Sequence, residues 1–424
     1  MKQRLLIAAL LVVSMGTYAE EAAKIEEPSE AKVEESGGHK DWPTLDEWSK
    51  GNKLNEGTLT AEFLLGYEYS DLSQSPPATD TEAAQGLITR TRVNYQTANF
   101  EGFDFRIQAQ YVGPINDHYR YTAGGNPNYD VIADPEAFRL HQVYLAYTGY
   151  DSKAIVGSQE IILDNSRFIG NVGWRFNAQS FNAGSIKNES VENLKLYYAY
   201  ADSINTILGD IDHARQYHMI NGEYKLGESN QVSGYAYLQR NDNSAANSKV
   251  DTYGLRAWGK NGKISHDAML ALQRDAYYGS LFGEFDINAV DVGAGIEYIS
   301  GGQGNEQFQT LNGTAHKFNG WADQFLGTGA GLPGGLIDVY GQVSAVVIEK
   351  LKLVGVAHYF TTTDTTPAGF DGPYGYEFDA LAKYPVCKNF DVLAKVAYYV
   401  KDGSSIANLT NDETVFWLRG TLRF

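Results

Sequence analysis

Nine basic side chains stand where an alternating backbone, or a segment folded between two such runs, would aim them at a shared interior. Arg90, Arg92, Arg106, Arg256, Lys395, Arg419 and Arg423 lie within extended runs, and Arg167 and Arg175 lie in a connecting segment. A guanidinium is always charged and presents a fork of donors that matches a carboxylate, so such a set suits reversible capture of anions such as acidic sugars. The same phase also carries Asp104, Asp267, Asp291, Glu297, Asp338, Glu377, Asp379 and Asp391. Two readings therefore compete: arginines that select an anion, and a neutral ladder of ion pairs that holds a shape. Catalysis has no comparable support. The chain lacks a phosphate-cradling G-x-x-x-x-G-K-[ST], an H-E-x-x-H pair and a G-x-S-x-G elbow, and its eight histidines are scattered. No catalytic residue, cofactor site or metal site is assigned. The Asp/Asn-rich stretches 240–247 and 361–372 offer oxygen ligands without the spacing of a calcium loop, and read as solvated loops.

The elements that must carry these side chains are strands. From Thr58 onward the pattern has period two, which places successive side chains on opposite faces. In the first run Leu59, Ala61, Phe63, Leu65, Tyr67 and Tyr69 share a face. In the third, Phe103, Phe105, Ile107, Ala109 and Tyr111 oppose Asp104, Arg106, Gln108 and Gln110. Strands are expected at 58–70, 86–98, 102–112, 138–149, 153–161, 178–188, 193–203, 215–226, 230–241, 249–260, 263–274, 277–286, 289–299, 335–347, 351–363, 374–385, 389–401 and 413–424, eighteen in all. The links after even-numbered strands are short. Those after odd-numbered strands are mostly long, and the link at 275–276 is the exception. An all-β transmembrane antiparallel barrel with short periplasmic turns and long outer loops has this asymmetry. A soluble propeller or sandwich stack does not require it. Apolar side chains would face lipid, polar ones a lumen, and closure would leave no unpaired edge.

The flanking regions agree with export from the cytoplasm. Lys2 and Arg4, an apolar run from Leu5 to Val13, and Thr17-Tyr18-Ala19 make residues 1–19 a cleavable signal peptide. Residues 20–56 begin with a Glu/Ala/Lys-rich stretch and form an acidic N-terminal segment, expected to be disordered in the periplasm. Residues 57–424 are the barrel. The formal net charge of -18 argues against nucleic acid as a partner. Cys387 is the single cysteine, so no intrachain disulfide can form. The 29 tyrosines suit aromatic girdles at the two lipid interfaces. The last run alternates Thr414, Phe416, Leu418, Gly420, Leu422 and Phe424 on one face. This ending resembles the signal by which a barrel-assembly machinery recognises its clients.

Two stretches carry a closer resemblance: QEIILDNSRFIGNVGWRFNAQSFNAGSIKN from Gln159 to Asn188, and FQTLNGTAHKFNGWADQFLGTGAGLPGGLIDVY from Phe308 to Tyr340. They resemble bacterial outer-membrane proteins of the alginate export family. The resemblance implies an eighteen-stranded, monomeric barrel in a Gram-negative outer membrane, with the segments Gln159–Asn177 and Gly301–Leu332 folded into or over the lumen. The expected function is passive diffusion of small hydrophilic, anionic or acidic-sugar solutes through an arginine-lined lumen. Export of an acidic polysaccharide is the first alternative, and a surface adhesin or anchor with no pore is the second.

Overall fold

The computed structural model describes residues 56–72, 81–121, 124–241, 248–302, 306–310, 312–326, 332–363, 372–402 and 411–424. The expected signal peptide, almost all of the acidic N-terminal segment, and most of the two Asp/Asn-rich stretches lie outside the described residues.

Eighteen long strands follow in order: β1 Thr58–Leu72, β2 Ala84–Gln96, β3 Phe103–Pro114, β4 Ala137–Gly149, β5 Ser152–Gln159, β6 Ser180–Val191, β7 Leu194–Asn205, β8 Arg215–Leu226, β9 Asn230–Asn241, β10 Ser248–Asn261, β11 Ile264–Gln273, β12 Ala276–Asp286, β13 Val290–Ile299, β14 Leu336–Val347, β15 Leu351–Thr361, β16 Pro373–Cys387, β17 Phe390–Lys401 and β18 Glu413–Arg423. Each pairs antiparallel with its sequence neighbours, and β1 also pairs with β18, from Glu62 opposite Arg423 to Leu72 opposite Glu413. The sheet is thus closed, and every strand has a hydrogen-bonded partner on both sides. That is the requirement for spanning hydrocarbon, where a lone backbone N–H or C=O finds no water.

The two faces follow the period-two pattern. Leu59, Leu65, Val93, Leu145, Leu255 and Leu270 point out and are exposed, while Leu64, Glu68, Arg90 and Arg92 point in and are buried. One break in phase occurs in β4. Gln108 pairs with Gln142 and Ala109 with Leu140, so His141 is an extra residue. This bulge turns two successive side chains, His141 and Gln142, into the lumen, which alternation alone does not predict.

The links differ from expectation in three places. The turn between β2 and β3 is longer than expected, because Phe100 and Phe103 exchange two backbone hydrogen bonds (2.7 and 2.8 Å) and close it early. Strand β5 stops at Gln159, where the chain turns inward rather than continuing to 161. The link after β3, expected as an outer loop, also turns inward and buries Tyr119, Ile132 and Asp134. The link between β11 and β12 remains the exception among the outer links: Arg274 and Asp275 alone form it, Arg274 with φ 51°.

Candidate functional site in the barrel lumen

Three segments enter the lumen from the long-loop end: 115–136, 160–179 and the described parts of 300–335. Apolar contacts hold the first and second against the wall, where Leu64, Ile88, Val112, Tyr119, Ile132 and Phe176 form one cluster. The second and third are sewn to each other. Ile169 and Asn312 form a parallel bridge, Gly170 N donates to Asn312 O (3.2 Å), Thr314 N donates to Ser166 O (2.8 Å) and Val172 N donates to Thr314 Oγ1 (3.2 Å). Gly313 lies in this seam, and a Cβ there would overlap the Arg167 carbonyl. Gly313→Ala is therefore expected to part the two segments, read as faster proteolysis within 160–179 with an unchanged barrel circular-dichroism spectrum.

The strands bring most of the expected arginines to one side. Across β18, β1, β2, β3 and β4, register places Arg423, Glu62, Arg92, Gln110 and Arg139 in one row. Arg90 and Arg419 stand above that row and Arg106 below it. Several of them grip backbone oxygens of the second segment. Arg90 Nη1 donates to the carbonyls of Arg175 and Phe176 (3.3 and 3.4 Å), and Arg419 Nη1 to that of Trp174 (2.6 Å). Arg139 donates to the Ala178 carbonyl and to that of Thr206 (2.6 Å). Arg419 also lies 3.7 Å over the Trp174 ring, and Arg90 pairs with Glu62 (2.7 Å). Arg92 differs. Its Nε donates to Gln110 Oε1 (2.7 Å), while its buried Nη2 has no hydrogen-bond partner among the described residues.

Arg167 and Arg175, expected to line the lumen, are instead internal anchors. Arg175 Nη1 meets both oxygens of Glu68 (3.0 and 3.1 Å) and Asp134 Oδ2 (3.2 Å), and its Nη2 lies 3.5 Å from Asp323 Oδ2. Burial disfavours its charge, yet the three carboxylates together hold it protonated more firmly than an ordinary arginine. Those carboxylates come from β1, the first segment and the third segment, so one guanidinium ties three elements to the second. Arg167 Nε donates to Glu297 Oε1 (2.6 Å) and its Nη2 to Asn319 Oδ1 (2.7 Å). Arg256 also departs from the group. It stands on β10, away from the other arginines, in a two-point pair with Asp267 (3.0 and 2.5 Å) and 4.3 Å over Trp258. Arg106 donates to Asn94 (2.7 Å), and Arg423, half exposed at the short-turn end, pairs with Glu62 (3.3 Å) and Asp391.

The third segment docks on a carboxylate-rich wall. Asn319 Nδ2 donates to Glu297 (2.9 Å) and Asp338 (3.3 Å), and Ala322 N donates to Glu377 Oε1 (2.7 Å). Lys395 rises from β17 between the rings of Trp174 (4.2 Å), Trp321 (3.9 Å) and Trp417 (5.2 Å), and its Nζ donates to His316 Nε2 (2.6 Å). His316 Nδ1–H then donates to Asp323 Oδ1 (2.9 Å). Lys395 thus faces inward as expected, but it is enclosed.

Five participants were missing from the sequence reading. Glu62, Glu68 and Arg139 occupy inward phases of β1 and β4, so alternation could have found them. Asp134 is on a segment with no periodicity, and no local signal marks it. Glu160, at the start of the second segment, is buried, which opposes its charge. His141 (2.7 Å), Arg92 and Asn171 (3.1 Å) outweigh that and lower its carboxyl to about 2.

The comparisons with known proteins agree with this architecture. The alginate export family model matches residues 132–315, a span that includes the whole second segment and its seam with the third. The fold is similar to that of outer-membrane porins of the OccK/Opd family. Pseudomonas aeruginosa OpdQ superposes with a TM-score of 0.65 at 13% identity, covering 88% of this chain and 99% of that one. Pseudomonas aeruginosa OccK9 (OpdG) gives a TM-score of 0.65 at 13% identity, with 88% and 100% covered. Acinetobacter baumannii OccAB1 gives a TM-score of 0.65 at 10% identity, with 88% and 97% covered. No curated protein sequence matches significantly. The match over residues 132–315 lies on a closed eighteen-stranded wall, lipid-facing outside and polar within: the protein is an outer-membrane β-barrel that is similar, over that stretch, to the alginate export family.

Proposed function

We propose that this barrel is a porin for passive diffusion of small hydrophilic solutes, with a preference for anionic or acidic-sugar solutes. The observation that carries the preference is Arg92. A buried guanidinium N–H left without an acceptor costs about 1–3 kcal/mol, more when charged. The Arg92 charge has no paired carboxylate among the described residues, and its field attracts a carboxylate passing along the wall. Arg90 and Arg419 add charge to the same wall, and each also has a buried N–H that no described residue accepts. The chain is read as non-enzymatic and monomeric, with β18 as the handle for the assembly machinery.

The test is reversal potential across a planar bilayer in a salt gradient. The wild-type pore is expected to favour anions. Arg92→Ala should lower the anion-to-cation permeability ratio severalfold, whereas Arg256→Ala, whose charge is matched by Asp267, should change it little. A cation-selective wild-type pore would overturn the preference, and absence of conductance would favour the adhesin or anchor reading. Export of an acidic polysaccharide has one observation in its favour, the family match over 132–315. Against it stands the seam between the second and third segments, which a polymer would have to part.

A further inference from the structure

We propose that Phe282 and Tyr340 form a platform in the lumen on which the C–H face of a pyranose ring stacks, so that the pore retains ring sugars over open-chain solutes of the same charge. The inference rests on the porin reading and narrows the solute class that it names.

Register builds the platform around β13. Phe282 on β12, Gly295 on β13 and Tyr340 on β14 lie in one row, on the lumen phase of their strands. Gly293 takes the next inward position of β13 toward the short-turn end. Each glycine lies under a ring. A Cβ at Gly293 would come within 2.7 Å of Phe282 Cζ, and one at Gly295 within 2.3 Å of Tyr340 Cζ. The two rings therefore lean over β13 from either side, where that strand has no side chains. Their planes differ by 11° and their centroids are 5.9 Å apart. Two residues along a strand advance about 6.8 Å, so the rings tile side by side rather than face to face. One face of each covers glycine backbone. The other turns to the lumen, and both residues are partly exposed.

The edges of the platform are polar. Asp267 stands beside Phe282 in register, with a quarter of its side chain (26%) exposed. Gln342 and Glu284 occupy the next inward positions past Tyr340 and Phe282, and Gln342 Nε2 donates to Glu284 Oε2 (3.4 Å). On the far side His358 closes the row, 5.3 Å from the Tyr340 ring and fixed by Asp338 (2.8 Å). A flat apolar surface bounded by carboxylate and amide oxygens matches one kind of guest. A pyranose has C–H groups on a face and hydroxyls around its rim. An aromatic acid has the face without the hydroxyls, and an open-chain polyol has the hydroxyls without the face. Aromatic faces supply contact area, and a few placed polar groups supply orientation.

The platform lies next to the narrowing of the lumen. The third segment docks on Glu297 and Asp338, which stand two residues from Gly295 and Tyr340 on the long-loop side. The rings are thus directly beneath that segment, toward the short turns. Strand β12 is almost diametrically across the closed sheet from β2, so the rings stand on the side of the lumen away from Arg92. Charge and ring shape are then read on different walls. The arginines act alike on every monocarboxylate, and the platform acts only on those with a ring.

The experiment is titration of the full barrel's conductance in a planar bilayer with three monocarboxylates: glucuronate, the open-chain sugar acid gluconate, and benzoate. Glucuronate is expected to block the wild-type pore with a half-saturation at least fivefold below either of the others. Phe282→Leu/Tyr340→Leu keeps bulk and removes the ring faces, so the ratio should fall to about one while the reversal potential in a salt gradient stays unchanged. Tyr340→Phe should keep the ratio. Gly295→Ala retains both rings but lifts Tyr340 off the wall, and should lose most of it. Tyr277→Leu, on the lipid face, should change nothing. Heat-modifiable electrophoretic mobility verifies folding of each variant, and the wild-type comparison decides the matter where a variant does not fold. Equal block by glucuronate and gluconate in a conducting pore would overturn the proposal and leave the porin reading in place. So would stronger block by benzoate, or a ratio untouched in the folded double-leucine variant. A barrel that conducts nothing would overturn the porin reading itself, and this inference with it.

Discussion

Arg175→Ala is expected to release the inward segments while leaving the barrel closed. The substitution strands Glu68, Asp134 and Asp323 around a vacated position, three carboxylates that face one another with no cation between them. Removing one partner of a buried ion pair costs about 3–5 kcal/mol, and here one deletion removes the cation that three carboxylates share. A change of that size alters the undocked population by more than about a hundredfold, at 1.4 kcal/mol per factor of ten. The readouts are single-channel conductance, which should rise and become noisy, and proteolysis within 160–179, which should accelerate. Arg175→Lys should recover only part of the effect, because an ammonium is a point charge and cannot serve carboxylates from three directions with a planar fork. Conductance and protease resistance equal to wild type in Arg175→Ala would sink the idea that this residue holds the segments.

The second large effect is expected from acid. His316 lies flat against Trp174 (4.7 Å between centroids, 9° between planes) and edge-on to Trp417. Burial pushes its pKa down to about 3, and the Lys395 and Arg175 charges act in the same direction, against the pull of Asp323. The geometry gives the reason. Its Nε2 accepts from the Lys395 ammonium, so a proton there would set two donors against each other. The docked state thus holds a neutral imidazole, and the undocked state an ordinary one near 6.5. Because the docked pKa is the lower one, docking is fully favoured above about 6.5. It weakens as pH falls from there toward 3, by up to tenfold per unit.

Asp323 and Glu160, both held below the ordinary carboxylate range, contribute in the same sense, but only once pH drops past about 4. Between 6.5 and 4 the third segment's own imidazole, His316, carries this acid response. Recordings stepped from pH 7 to pH 4.5 should show increasing excursions to a higher conductance, and His316→Gln should flatten that slope. An undiminished slope in the variant, or a pore that quietens in acid, would count against the assignment.

The wall was largely legible in the sequence because a sheet with lipid on one side and water on the other must alternate. Lumen phase placed Arg90, Arg92, Arg106 and Arg419 near one another once β18 was joined to β1. Their partners were not legible, since Arg90, Arg139 and Arg419 bind carbonyl oxygens, which every residue has. His141 shows a second limit. One inserted residue reverses phase, and nothing in the letters around it announces a bulge. Asp134 shows a third. Its segment has no strand period, and its side chain is placed by groups remote in sequence, the Arg175 guanidinium and the Phe176 N–H (2.7 Å) among them. The inward course of 115–136 was missed for the same reason. Length suggested a loop, and only burial of Ile132 and Tyr119 tells that it turns in.

The grip of Arg90, Arg139 and Arg419 on main-chain oxygens has a consequence for how such barrels diversify. A clamp that holds the peptide backbone is blind to the letters it holds. The wall arginines hold the backbone at 174–178 whatever side chains stand there, while Arg175 and Phe176 add contacts that depend on their identity. The lumen is in that respect a socket with a replaceable insert. Grafting a relative's side chains between Glu160 and Gln179, with Arg167 and Arg175 kept, is the natural way to alter what the pore admits without rebuilding the wall.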